Sequence, residues 1–73
     1  MTGHHELHFG NRLKQARTAA GLTQGQLASL AGVSRKTMNT IEARTVIPST
    51  VLALRLSKVL DTTVEALFFL ADD

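Results

Sequence analysis

The chain has no cysteine, a single proline, and only one acidic residue, Glu42, between Gly10 and Leu60. The missing cysteine excludes a disulfide framework, a thiolate nucleophile and a cysteine zinc site, and it fits a reducing compartment. No apolar run approaches the ~20 residues of a membrane-spanning helix. The opening "MTGHHELHFG" lacks the apolar centre of a signal peptide. These absences set the expectation of a cytoplasmic protein with no membrane partner. There is no acid pair and no serine with an activating base, so no catalytic constellation can be assembled. The expectation is not an enzyme, and no cofactor is implied. No segment shows sustained period-two alternation or a hairpin turn, and neither repeats nor low-complexity tracts occur. The pattern predicts an all-α fold.

What is present bounds the answer from the other side. Seventy-three residues, 44% of them hydrophobic, make one domain near the lower limit for an unaided core. The net charge is only +2, but its distribution is uneven. Eight bases (Arg12, Lys14, Arg17, Arg35, Lys36, Arg44, Arg55 and Lys58) lie between Gly10 and Leu60. From Asp61 onward there are four acids and no base. Such asymmetry suggests a basic face for a polyanion and an acidic end turned away from it.

Residues 1–8 read as a loose arm and residues 9–71 as the domain. Phe9, Leu13, Ala16 and Ala20 are spaced as one face of a first helix, with Gly21 beyond its end. Thr23 and Gln26 form a capping box for a second helix, whose buried side is Leu27, Ala28, Leu30 and Ala31. Gly32 stands where the chain must turn, and Ser34 caps a third helix with Met38 and Ile41 facing inward. After Pro48, "STVLALRLSKVL" supplies a fourth helix with Ala53, Leu56, Ser57 and Leu60 on one side. "TTVEALFFL" supplies a fifth, with Thr62 and Glu65 as a second capping box. The expected architecture is a compact five-helix bundle.

Two short helices joined by a tight glycine-containing turn, residues 23–43, form a helix-turn-helix unit. The third helix points Arg35, Lys36, Asn39 and Thr40 away from the core. That face carries donors, an amide and a hydroxyl, and no acid, which suits the base edges of a major groove.

Over about Asn11 to Phe68 the chain resembles the lambda-repressor-like, Cro-like (XRE-type) family of helix-turn-helix regulators. The linked segments "RLKQARTAAGLTQGQLA", "AGVSRKTMNTIE", "PS" and "LALRLSKVL…VEALF" carry the likeness. The resemblance implies base contacts from Arg35, Lys36 and Thr40, with Asn39 beside them. It implies DNA-backbone contacts from Gln24, Ser34 and Thr37, to which we add Arg44. It also implies a structural ion pair between Arg17 and Glu42. Family members commonly have Asn-Gly where this chain has Ala43-Arg44. Either the third helix runs on, or Arg44 takes a left-handed conformation. A glycine is also common where Asp61 stands, and Asp tolerates that conformation better than most residues.

Two features lie outside this reading. His4, His5 and His8 with Glu6 invite a metal, but His4 and His8 share a face only on a helix that no pattern supports, so no metal site is expected. "ALFFLADD" is more apolar than one helix face can use. The expectation is a homodimer seam on the fifth helix formed by Phe69 and Leu70 with Leu54 nearby, holding two recognition helices against a palindromic operator. The expected function is sequence-specific binding of double-stranded DNA by a transcriptional repressor or autoregulator. Two rivals stay open: an antitoxin or restriction controller with the same DNA-binding mode, or a protein-interaction module docking through the apolar C-terminal helix. A toxin or RNA polymerase is the kind of protein partner these roles would involve.

Overall fold

The computed structural model describes residues 7–72 of the chain. Its elements run β1 (Leu7–Asn11), α1 (Leu13–Ala19), α2 (Gln24–Ala31), α3 (Arg35–Glu42), α4 (Thr50–Val59), α5 (Val64–Leu67) and β2 (Phe68–Asp72). Four of the helix starts follow from side-chain oxygens that accept otherwise orphaned backbone N–H groups. Thr23 accepts from the N–H of Gln26, whose side chain accepts in return from the N–H of Thr23, closing the expected capping box. Ser34 accepts from Thr37 N at 3.1 Å and Ser49 from Leu52 N at 3.1 Å. The fifth helix is capped by Thr63, which accepts from Ala66 N, and not by the expected Thr62–Glu65 box.

The turn between α2 and α3 bends at Gly32 (φ 76°), a left-handed position that glycine adopts without a Cβ penalty. Beyond α3, the two alternatives for Ala43-Arg44 resolve in favour of the second. Ala43 ends the helix and Arg44 is left-handed at φ 65°; Asp61, beyond α4, is left-handed at φ 52°.

Leu13, Leu27, Met38, Ile41, Leu56 and Leu67 are fully buried and draw every helix into one core. Ala28 and Ala31 are also buried, and their small side chains allow α2 and α3 to approach closely. Among the described residues, no buried side-chain nitrogen or oxygen lacks a hydrogen-bond partner.

The expected all-α bundle needs correction at both ends. β1 and β2 pair antiparallel, with Leu7 opposite Asp72, Phe9 opposite Leu70 and Asn11 opposite Phe68. Phe9 is therefore a strand residue and α1 begins only at Leu13. Leu7 and His8 belong to the sheet and not to an arm; the rest of the expected arm, with His4, His5 and Glu6, lies outside the described residues. The fifth helix stops after one turn, where Phe68 takes an extended backbone (φ −129°, ψ 137°) and β2 begins. A strand sends Phe68 and Phe69 to opposite faces. Phe68, 7% exposed, enters the core and stacks on Phe9 with ring centroids 5.8 Å apart. Phe69 lies over Gly10, where a Cβ would come within 2.6 Å of its ring, and the Arg12 guanidinium covers it at 4.1 Å. The acidic end beyond Asp61 is thus partly sheet, with one base stacked on it.

Candidate nucleic-acid interface

The site is built on α2 and α3, whose N-terminal ends open on the same side of the molecule. Met38 and Ile41 bury one stripe of α3, which leaves Arg35, Lys36 and Asn39 exposed and Thr40 half-buried. Gln24, the first residue of α2, shares a surface depression of about 380 Å³ with Arg35, Lys36 and Asn39. A second depression, of about 440 Å³, reaches from the same Gln24 and Arg35 to Arg17, Thr23 and Gly25. Arg35, Lys36 and Asn39 of the expected base-facing residues and the expected backbone-facing Gln24 therefore border one continuous surface.

Beneath it lies the Arg17–Glu42 pair. Nε of Arg17 donates to Oε2 of Glu42 at 2.7 Å and Nη2 to Oε1 at 3.1 Å, a two-point match of guanidinium to carboxylate. Nη1 donates to the Leu22 carbonyl at 2.9 Å, so one side chain ties α1, the α1–α2 connection and the end of α3. Arg17 is 8% exposed and the Glu42 side chain 5%. The hydrogen bonds that Arg17 donates to Glu42 hold its pKa above the usual value; burial opposes this and the carboxylate charge reinforces it.

The hydrogen bonds around the surface sort its residues by what they can still offer. Gln24 Nε2 donates to Glu42 Oε1 at 3.0 Å and to Asn39 Oδ1 at 3.4 Å. Ser34 is committed to Thr37, accepting from its N–H and donating to its Oγ1. The Thr37 hydroxyl proton can point outward, whereas that of Thr40 is given to the Thr37 carbonyl at 2.8 Å. Thr40 therefore offers a methyl and an acceptor oxygen. Arg44 reaches back to the Asn11 carbonyl through Nη2 at 3.3 Å.

Sequence reasoning overlooked Asn11. It is buried, donates through Nδ2 to the Ile41 carbonyl at 3.0 Å and accepts from the N–H of Leu13 at 3.3 Å. It thereby fixes the start of α1 to the end of α3. A polar residue just ahead of the first apolar helix position was the available signal.

Leu54 (51% exposed) and Leu70 (64% exposed) remain open to solvent, whereas Phe69 is half-covered by Arg12. The three do not line a fifth helix, since Phe69 and Leu70 are strand residues. Among the described residues, no cluster of three metal-ligating side chains occurs, and no helix is long and apolar enough to cross a membrane.

Comparison with known proteins bears on the whole arrangement. The family model of the helix-turn-helix domain matches residues 8–68. An uncharacterized HTH-type transcriptional regulator of Methanocaldococcus jannaschii, MJ0272, is 40% identical over 63 residues, covering 86% of this chain and 96% of that protein. The restriction-modification controller protein C.AhdI from Aeromonas hydrophila superposes with a TM-score of 0.72 at 36% identity, over 75% of this chain and 83% of its own. The N-terminal DNA-binding domain of SinR from Bacillus subtilis gives a TM-score of 0.69 at 34% identity, over 74% and 80%. With the capped α2–turn–α3 unit and its acid-free outer face, these likenesses lead to one conclusion: the chain belongs to the lambda-repressor-like helix-turn-helix family of DNA-binding transcriptional regulators.

Proposed function

We propose that the protein binds a specific palindromic sequence in double-stranded DNA as a homodimer, and that it acts as a cytoplasmic repressor or autoregulator. The observation that carries this reading is the outer face of α3: Arg35 and Lys36 exposed, Asn39 beside them, and the Glu42 carboxylate buried against Arg17. In the major groove, Arg35, Lys36, Asn39 and Thr40 read base edges, while Thr37 and Arg44 donate to the phosphates, flanked by Gln24 and Ser34, whose side-chain donors are engaged within the protein. The free Thr37 proton makes it a better phosphate donor than Ser34, whose hydroxyl is spent within the helix start.

A second copy docks against the apolar side that carries α4 and the sheet. There a trough of about 400 Å³ is lined by Phe9, Ile47, Pro48, Ala53, Leu54 and Phe68. Ile47 is 69% exposed and Leu54 51%, and Leu70, 64% exposed, lines a neighbouring depression that shares Phe9 and Phe68 with the trough. A hollow and projecting apolar side chains on one patch are what a two-fold, self-complementary contact requires. Leu54 and Leu70 rather than Phe69 are then the residues to probe.

Selection of bound duplexes from a random pool tests the reading. Two related half-sites about one helical turn apart are expected, with affinity falling steeply as salt rises. Leu54→Asp should move the protein toward monomer in sedimentation and weaken the palindrome more than a half-site. Absence of salt-dependent duplex binding would leave a protein-interaction module as the better account. The likeness to C.AhdI supports a second reading within the class, a restriction controller with the same DNA contacts.

A further inference from the structure

The buried carboxylate of Glu42 governs more than the fold. Both its oxygens accept from Arg17, so any group reaching it from the surface must bring a donor. Gln24 does so with Nε2 at 3.0 Å from Oε1. This settles which way the Gln24 amide is turned: nitrogen toward Glu42. The second hydrogen on the same nitrogen is directed to Asn39 Oδ1 at 3.4 Å. Asn39 is therefore turned with its oxygen toward Gln24, which leaves both hydrogens of its Nδ2 for the groove. An amide has nearly the same shape either way round, so nothing in packing alone would choose between the two orientations.

We infer that Glu42, although it touches no DNA, is a positioning residue that fixes the hydrogen-bond polarity of Asn39 through Gln24, so that the protein refuses cytosine at the base Asn39 faces. The inference rests on the DNA-reading role proposed above for α3. In the major groove, guanine offers O6 and N7, adenine N7 and thymine O4, all of which accept from an amide N–H. Cytosine presents its N4 amino group, a donor, and would meet the Asn39 amide donor to donor. Arg35 and Lys36 can also only donate, so the fixed polarity of Asn39 extends one pattern across the face.

Glu42→Gln keeps the shape of the buried group but can offer Gln24 a donor in place of an acceptor. The Gln24 amide can then turn over, and Asn39 with it, exposing an oxygen that accepts from cytosine. Gln24→Ala cuts the connection without altering the ion pair, and it decides the matter should Glu42→Gln fold poorly. The experiment is random-pool selection with wild type, Asn39→Ala, Glu42→Gln and Gln24→Ala, each shown to be folded by circular dichroism.

Asn39→Ala identifies the base pair that Asn39 reads. At that pair the wild type should disfavour cytosine by roughly fivefold or more. Both other variants should lose that discrimination there and keep the wild-type preferences elsewhere. Uniformly weaker binding with an unchanged base profile would make Glu42 merely structural and overturn the inference. Cytosine accepted by the wild type at that pair would overturn it too. A wild type that enriches no sequence would instead defeat the proposed DNA-reading function, and this inference with it.

Discussion

The α2–α3 unit and the β1–β2 sheet are held together in opposite ways. Nearly everything that defines the first lies within a few residues in sequence: Thr23 with Gln26, Ser34 with Thr37, a left-handed Gly32 between them. The second joins residues some sixty positions apart, Phe9 to Leu70 and Asn11 to Phe68, and has no local signal of its own. Local caps announce themselves in a sequence; long-range pairing is visible only when the partner strand is known. The two regions meet at Asn11, the last residue of β1, which hydrogen-bonds to the end of α3.

The largest test of this contrast is the Arg17–Glu42 pair, the exception within the local region. Truncating either partner strands a buried charge, and the loss should approach about 3–5 kcal/mol, a large share of the stability of so small a domain. Thermal melts of Arg17→Ala, Glu42→Ala and the double variant should show the second substitution costing far less than the first. Additive losses would mean that the two side chains are not coupled.

Next in size is Gly10→Ala. Its methyl would stand 2.6 Å from the Phe69 ring, forcing the ring out from beneath Arg12. Overpacking of this kind costs about 1–3 kcal/mol. If the sheet is an independent support, melting should fall while the selected DNA sequence stays the same. A changed base profile would show that the sheet sets the posture of α3 through Asn11.

Much of the α2–α3 unit was legible because each feature is a chemical necessity of its own neighbourhood. A helix start needs an acceptor, and a sharp turn needs a residue without a Cβ penalty. The Phe9 spacing misled for the same reason: it matched a helix face, while the competing evidence, the surplus of apolar residues at Phe68–Leu70, lay at the other end of the chain. Thr63 was passed over for Thr62 because either threonine could cap, and only the backbone geometry separates them. The Gln24 orientation was hidden, since it depends on a carboxylate eighteen positions away.

Smaller effects sharpen the picture further. Ser34→Ala removes the cap of α3 and should cost about 1 kcal/mol, with weakened binding to all duplexes as the helix start loosens. The two left-handed positions give the finest comparison. Asp61→Gly should stabilise by about 0.5 kcal/mol by relieving backbone strain, net of the entropy glycine adds to the unfolded chain. Arg44→Gly gains similar relief but gives up the hydrogen bond to Asn11, worth about 1 kcal/mol, and should end at or below wild type. Parallel melts would read the difference, and a larger gain at Arg44 would mean that its contact with Asn11 contributes little.

The register of the sheet also makes the fold nearly circular. Leu7 faces Asp72 across paired strands whose backbones run about 5 Å apart, so the described chain leaves off almost where it began. A short peptide bridge could close that gap at little entropic cost, and a new opening could be cut at Gly21, an exposed turn where, its chain neighbours apart, nothing lies within 4 Å of where a side chain would start. Such a permuted chain would begin at α2 and finish with α1, its recognition surface intact. The order in which the gene spells these elements is therefore one choice among several that the same packing would accept.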